Sequence, residues 1–86
     1  MKQETKPMTL GEKRCHIDFN PSSDDKIGKF KRMMADAIDF CEKENRESLL
    51  KDEEWHEQQR CFRIAKEHLE TAQMYAVKGI AKGLTK

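Results

Sequence analysis

Apolar residues recur at spacings of three and four along the first of two long periodic segments. In that segment they are Ile27, Phe30, Met34, Ala37, Ile38 and Cys41. Because 3.6 residues complete one helical turn, this spacing predicts an amphipathic helix that reaches about Glu44. Pro21 suits a first helical turn, and Ser22 and Ser23 are the predicted caps.

The second segment carries a seven-residue repeat. Its larger members are Trp55, Phe62, Leu69 and Ala76, and three residues after each of them stand Gln58, Ala65, Ala72 and Gly79. Such a repeat is typical of a coiled-coil seam and predicts a second, longer helix. The connection is expected within residues 45–52, with Ser48 or Asp52 as the cap of the second helix. The two helices therefore predict an all-α fold, an antiparallel helical hairpin.

The residues before the hairpin give weaker signals. Thr9 and Glu12 have the spacing of a capping box, which predicts a short helical turn through residues 13–15, with a loop as the alternative. Residues 16–19 alternate polar and apolar side chains and are expected to run extended. We therefore divide the chain into an N-terminal arm, residues 1–18, and a hairpin domain for oligomerisation and ligand binding, residues 19–86.

The composition limits how much core one copy can build. Of the 86 residues 38% are charged and 36% hydrophobic, and the mean hydropathy is -0.97. The second half of the long helix nevertheless carries apolar residues outside the seam: Met74, Tyr75, Val77, Ile80, Ala81 and Leu84. Because soluble monomers seldom expose a large apolar patch, a homo-oligomer built through this surface is expected. The alternative is that the N-terminal arm folds back over it.

Charge and cysteine usage exclude several classes of function. The formal net charge of +1 gives no overall field for gripping duplex nucleic acid, so an anion site has to be a local cluster of basic side chains. Cys15, Cys41 and Cys61 form no C-x-x-C pair, which argues against a disulfide framework and indicates a reducing compartment. No apolar run approaches the ~18 residues that span a bilayer, and no signal peptide is recognisable, so a soluble intracellular protein is expected.

The polar residues offer no catalytic or metal-binding set. The cysteines and histidines lack the spacings at which helices hold a metal ion. The acidic residues stand mainly near expected helix starts, where the helix dipole explains them. We therefore expect no metal, no cofactor and no enzymatic activity.

One local group combines an aromatic ring with lysines. Phe19 precedes the first long helix, and Lys29 and Lys31 lie in its first turns. An aromatic face stacks a base and a lysine neutralises phosphate, which favours nucleotide binding. The alternative is that Phe19 packs on the helix as a hydrophobic staple and that the lysines are solvated surface charges.

Two segments resemble a known family. Residues 19–39 and 65–80 resemble the helical-hairpin domain of phage anti-CBASS protein two, a domain shared with the Thoeris anti-defence sponge. The resemblance covers about residues 19–82. Its marks are the Phe19-Asn-Pro turn, the pair Phe30-Lys31, and the apolar pattern from Leu69 to Lys78.

The resemblance implies a hexamer of hairpins that sequesters cyclic di- and trinucleotide signals, such as cyclic GMP–AMP, without cleaving them. It implies action in the cytoplasm of the infected bacterium, where the host's CBASS effector then stays silent. By match, Phe19, Asn20 and Lys31 hold the cyclic dinucleotide, with Lys29 as the alternative lysine, and Lys66 marks a second, trinucleotide pocket. A helical adaptor that binds a host protein, and a phosphodiesterase, are the alternatives.

Overall fold

The computed structural model describes residues 7–21 and 23–84. Within these ranges the chain forms three helices and no strand: α1 (Leu10–Arg14), α2 (Asp25–Arg46) and α3 (Asp52–Leu84). α2 packs against both α1 and α3. The Cα atoms extend over 52 × 41 × 12 Å, so the molecule is about as thick as a single helix layer. The predicted all-α helical hairpin is confirmed. None of the helices in these ranges is long and apolar enough to cross a membrane.

α1 begins at the predicted capping box. The Thr9 hydroxyl accepts the Glu12 N–H at 3.1 Å, and the Glu12 carboxylate accepts the Thr9 N–H at 2.9 Å. Glu12 also pairs with Arg32 of α2 at 2.9 Å. The Thr9 backbone N–H, and then Arg32, lower the pKa of Glu12. The cap thus also ties α1 to α2.

Gly11 is the point at which α1 touches α2. Its N–H donates to Asp39 Oδ1 at 2.8 Å, and a Cβ placed on it would lie 2.1 Å from the carbonyl oxygen of Ala35. Any side chain would therefore push the two helices apart. Close approach explains a glycine in a helix only five residues long.

The expectation of an extended segment at residues 16–19 is wrong. Residues 15–18 form a turn, in which the Phe19 N–H donates to the His16 carbonyl at 2.8 Å. His16 has a φ of 49°, in the left-handed region that closes such turns. Local hydrogen bonding, which a polar–apolar alternation does not report, decides the path of this segment.

α2 is capped by a different residue from those predicted. Asp24 accepts the N–H groups of Lys26 at 2.9 Å and Ile27 at 3.2 Å. Ser23 instead has a φ of 56° and lies before the cap, while Ser22 lies outside the described residues. An aspartate caps as well as a serine does, so composition alone did not fix the first turn.

The core lies between α1 and α2. Cys15, Ala35 and Ile38 are fully buried, and Leu10, Ile17, Met34 and Leu69 pack against them. The buried residues of α2 are Ile27, Lys31, Ala35, Ile38 and Cys41. Every residue of the predicted stripe is buried or half-buried, so the stripe is confirmed, and Lys31 and Ala35 are buried in addition. Since α2 has neighbours on two sides, the burial pattern is broader than one apolar stripe.

The hairpin connector occupies the predicted range. Residues 47–51 join the two long helices, and the Ser48 hydroxyl accepts the Leu50 N–H at 3.2 Å. Ser48 also bonds the side chain of Gln58. Ser48 thus stabilises the connector, and Asp52 is the first residue of α3.

The side of α3 that meets α2 differs from the predicted seam. Phe62 and Leu69 are half-buried, but Ala72 and Gly79 are exposed. The buried positions are instead the polar residues Lys66 and Gln73. The face of α3 that meets α2 is therefore rotated slightly from the predicted seam, and Lys66 on that face pairs with Glu42 of α2 at 2.5 Å.

The surplus apolar surface of α3 is covered in part. Phe19 and Pro21, in the segment that joins the N-terminal arm to α2, line one cavity together with Val77 and Ala81. Three large side chains remain exposed: Met74 at 60%, Tyr75 at 67% and Leu84 at 43%. The segment that follows the arm thus lies near part of this surface and leaves the rest open.

Candidate functional site

A cavity of about 190 Å³ lies between residues 19–21, α2 and α3. It is lined by Phe19, Asn20, Pro21, Ile27, Lys31, Val77 and Ala81. Three of the four residues predicted for the cyclic dinucleotide site, Phe19, Asn20 and Lys31, therefore lie together. The fourth, Lys29, is exposed on α2 and is not among the lining residues.

Lys31 is the buried polar group of this cavity. The residue is 3% exposed, and its Nζ donates to the carbonyl oxygen of His16 at 3.0 Å and to that of Phe19. The same Nζ lies 5.5 Å from the centroid of the Phe19 ring. Burial lowers the pKa of Lys31, and nearby Cys15 opposes this effect. The sequence did not reveal this burial, because lysine side chains are normally exposed to solvent.

These contacts make Lys31 a clamp between α2 and the arm. Two of its three N–H donors are used on carbonyls of one turn, residues 16–19. A buried ammonium is stable only when its donors are satisfied, so the turn and the lysine hold each other in place. The position of Phe19 therefore depends on Lys31.

The Phe19 side chain is exposed to solvent, and contacts of adjacent residues fix its backbone. Its side chain is 67% exposed, while Asn20 Nδ2 donates to the carbonyl oxygen of Asp24 at 3.0 Å and fixes the following residue to the start of α2. The ring thus stands at the mouth of the cavity with much of its surface open. An exposed ring on a fixed backbone is suited to stacking a base.

Three lining residues were missing from the predicted site: Ile27, Val77 and Ala81. Val77 and Ala81 are one helical turn apart and belong to the apolar surplus seen in the sequence, but nothing in the sequence showed that the arm meets them. Lys78 and Lys82 follow them directly and are exposed. The cavity is smaller than the roughly 300–1,000 Å³ of usual ligand pockets.

Lys66 lies apart from this cavity. It is 7% exposed, and its Nζ is 2.5 Å from Glu42 Oε1 across the hairpin. A separate cavity of about 260 Å³ is lined by Thr9, Leu10, Asp39, Glu42 and Arg46. An anion at Lys66 has to compete with Glu42 for the ammonium. The predicted trinucleotide role of Lys66 stays a prediction.

Two of the three thiols are placed for packing. Cys15 and Cys41 are buried, which raises the pKa of each thiol, whereas Cys61 is exposed on α3. Among the described residues, no group of three or more histidine, cysteine and acidic side chains is arranged to hold a metal ion.

Comparison with known families gives one match. The model of the family described as "Acb2/Tad1, hairpin domain" matches residues 13–81, which include every lining residue of the cavity. Searches among curated proteins and among solved structures found no match. The family match covers most of the chain and begins inside the arm. The chain therefore belongs to the Acb2/Tad1 hairpin-domain family, the family of anti-CBASS protein 2 and the Thoeris anti-defence sponge.

Proposed function

We propose that this protein sequesters cyclic oligonucleotide second messengers of host antiviral defence, cyclic GMP–AMP among them, in the cytoplasm of the infected bacterium. The observation that carries the proposal is the pairing of an exposed Phe19 ring with the Lys31 ammonium, 5.5 Å from its centroid, in a chain of this family. Sequestration removes the signal before a host effector binds it.

The lining chemistry supports binding of one base at the cavity. Phe19 supplies a stacking face, and Ile27, Val77 and Ala81 supply apolar walls. A cyclic dinucleotide also carries two phosphates, which need cations at the cavity mouth. Lys29 of α2 is exposed and is available for this role alongside Lys31.

The size of the cavity supports a site completed by another copy of the chain. A volume of about 190 Å³ holds only part of a cyclic dinucleotide. We propose that the chain forms a closed homo-oligomer, a hexamer, in which each site is repeated around the symmetry axes and residues of a neighbouring copy cover the rest of the ligand.

The proposal includes no chemical step. Cleavage of a phosphodiester needs a general base or a metal ion near the phosphorus. Among the residues that line this cavity, Lys31 is the one with an ionisable side chain, and its Nζ already donates hydrogen bonds to two carbonyl oxygens. Binding without turnover is therefore the function that the lining residues favour.

Recovery of the ligand tests this function. The protein is incubated with cyclic GMP–AMP, freed of unbound nucleotide, denatured, and the released nucleotide is analysed by mass spectrometry. Intact ligand in stoichiometric amount is the expected result. A linear product would instead indicate a phosphodiesterase, and no recovered nucleotide would favour the adaptor described next.

The second candidate function is a helical adaptor for a host protein. The exposed side chains of Met74, Tyr75 and Leu84 favour it, because large apolar side chains on one helix are typical of protein interfaces. This candidate predicts that Tyr75→Ala abolishes anti-defence activity while Phe19→Ala does not. The sequestration proposal predicts that Phe19→Ala abolishes it.

The trinucleotide pocket is a further part of the proposal. If Lys66 holds a cyclic trinucleotide, Lys66→Ala removes trinucleotide binding and leaves dinucleotide binding unchanged. Loss of both would place Lys66 in the stability of the hairpin, through its contact with Glu42.

A further inference from the structure

The hairpin tip, residues 47–57, carries large apolar side chains that the fold leaves in solvent. Leu49 is 92% exposed, Leu50 41% and Trp55 38%. A single exposed apolar residue is common on a protein surface and needs no explanation. Here three of them stand within seven consecutive positions. Clustered exposure of this kind is typical of a surface that meets another protein.

The connector holds its leucines in a fixed conformation. The Ser48 hydroxyl accepts the Leu50 N–H at 3.2 Å and also bonds the side chain of Gln58 on α3. Beyond the leucines, the Trp55 N–H donates to the carbonyl oxygen of Lys51 at 3.2 Å. A preorganised segment loses less conformational freedom on binding than a loose loop does. The exposed leucines are therefore well placed to contribute to an interface.

A concave surface adjoins the connector. A cavity of about 410 Å³ is lined by Leu50, Glu53, Glu54, Glu57 and Gln58. Its volume lies in the range of roughly 300–1,000 Å³ that is usual for binding pockets. The lining combines an apolar side chain with three carboxylates. Such a surface fits a partner that offers apolar and basic groups together.

The tip is acidic, although the chain as a whole is not. Residues 47–57 carry five carboxylates and one ammonium group, a formal net charge of -4, against +1 for the whole chain. All six side chains are exposed. Glu57 forms a weak exposed pair with Arg60, and no ion pair joins Glu53 or Glu54 to another described residue. The helix dipole favours acids in the first turn of α3, but it acts little on Glu57 in the second turn.

We propose that a basic amphipathic helix of a different protein docks on the hairpin tip. Its apolar residues cover Leu49 and Leu50, and its Lys or Arg side chains face Glu53 and Glu57. These two carboxylates are four residues apart on α3, so their Cβ atoms are roughly 6 Å apart, and basic residues at positions i and i+4 of the partner helix have the same separation. Charge complementarity selects this partner, because an acidic helix would be repelled.

Docking at the tip leaves the cavity beside Phe19 free. Ile27 lines that cavity and Arg46 ends α2 next to the tip, so roughly 28 Å of helix separates the two sites. The tip is likewise separate from the apolar surface near Met74 and Tyr75, which lies beyond the middle of α3. The proposal therefore depends neither on nucleotide binding nor on the surface through which a homo-oligomer is expected.

Two synthetic peptides test the proposal on the full chain. One is an amphipathic helix of about 16 residues built from leucine, alanine and lysine, a length at which an isolated helix becomes stable. The other carries glutamate in place of every lysine. Calorimetry is expected to show one lysine peptide bound per chain, less tightly at higher salt, and no binding of the glutamate peptide. Equal binding of both peptides, or binding of neither, would overturn the proposal.

Replacement of the leucines locates the site. Leu49→Gln with Leu50→Gln is expected to weaken binding of the lysine peptide at least about tenfold, because it removes the apolar anchors. Met33→Gln with Phe40→Gln is the matched control, since it changes two exposed apolar side chains of α2, and it is expected to leave the affinity unchanged. Circular dichroism checks that both variants keep their helices. Equal weakening by the two variants would overturn the site.

Replacement of the carboxylates tests the charge contribution. Glu53→Gln with Glu57→Gln is expected to weaken binding of the lysine peptide at least about tenfold and to reduce its dependence on salt. Asp25→Asn with Glu67→Gln makes the same change in net charge at exposed residues outside the tip and is expected to leave both unchanged. If this control weakens binding as much, the attraction comes from the overall charge and the proposal fails.

The variant of both leucines also separates a foreign helix from a second copy of the chain. Sedimentation velocity without peptide measures the mass of the assembly that the chain forms. Leu49→Gln with Leu50→Gln is expected to leave this mass unchanged. A smaller assembly would show that another copy covers the tip, and the proposed partner would then be wrong.

Discussion

Replacement of Lys31 by methionine tests how the arm is held on α2. Lys31→Met keeps an unbranched apolar stem and removes the ammonium that donates to the carbonyls of His16 and Phe19. The variant is expected to release the turn at residues 16–19 more often than the unmodified chain, because those two carbonyls lose their partner on α2. The helices themselves are expected to remain folded, since Met packs in the space of the lysine stem.

The magnitude follows from two opposing terms. Each hydrogen bond from a charged donor contributes about 1.5–3 kcal/mol. Removal of the ammonium also relieves its desolvation, which costs several kcal/mol in a buried site. The difference leaves a net loss of about 1–3 kcal/mol in the free energy that holds the turn on α2. This loss corresponds to a roughly 5- to 150-fold larger open population of the turn.

Hydrogen exchange in the ligand-free protein measures this population. The Phe19 amide donates to the His16 carbonyl at 2.8 Å and the Ile17 amide to the Glu12 carbonyl at 3.0 Å, so both amides report on the turn. Both are expected to exchange faster in Lys31→Met. Lys29→Met is the matched control, because Lys29 is exposed on the same helix, and it is expected to leave both amides unchanged.

Unchanged exchange of the Phe19 and Ile17 amides in Lys31→Met would refute the clamp. Ligand affinity gives a separate result: Lys31→Ala is expected to leave the oligomer intact and to weaken cyclic dinucleotide binding. If exchange rises while affinity stays the same, Lys31 holds the arm and takes no part in binding.

Three further experiments test the packing of the helices. Gly11→Ala is expected to destabilise the fold by about 1–3 kcal/mol, because its Cβ would lie 2.1 Å from a backbone oxygen of α2; a melting temperature equal to that of the unmodified chain would contradict this close approach. Glu42→Ala is expected to lower the free energy of unfolding, measured by chemical denaturation, by about 1–3 kcal/mol, because it leaves the Lys66 ammonium buried and unpaired. Lys66→Met is expected to change that free energy little. Equal losses in the two variants would refute this asymmetry. In the native protein, Cys61 is expected to react first with a thiol reagent, because burial protects the other two cysteines and raises their pKa values. Simultaneous reaction of all three thiols would contradict the burial of Cys15 and Cys41.

Local signals in the sequence predicted the helices well. The Thr9–Glu12 capping box starts α1, and the connector falls within the range given by the loss of apolar periodicity. These features depend on residues within one or two turns of each other. Asp24 capped α2 in place of the serines because three adjacent residues all have suitable oxygens, and only backbone geometry selects one.

Features that depend on contacts between distant segments were not predictable. The need for Gly11 arises from Ala35 and Asp39 on another helix, and the burial of Lys31 arises from carbonyls of the arm. The burial of Lys66 on α3 likewise accompanies a contact with Glu42 on the other long helix. A helical repeat shows which residues share a face, but it does not show which partner the face meets.

Some residues of the candidate site were predictable from the sequence, and others were not. Phe19 and Lys31 were identified from residue type and from the family resemblance, and they line one cavity. Val77 and Ala81 were recognised as surplus apolar surface, yet their part in the cavity depends on how the turn at residues 16–19 directs the arm. That turn was the segment whose conformation the sequence pattern misrepresented.

Equilibrium dialysis against cyclic GMP–AMP tests sequestration most directly. Intact nucleotide is expected to accumulate on the protein side in proportion to the protein concentration. Phe19→Ala is expected to weaken this retention roughly 5- to 150-fold, because stacking of one base contributes about 1–3 kcal/mol. Equal nucleotide concentrations on both sides of the membrane, with the unmodified protein in excess, would contradict it.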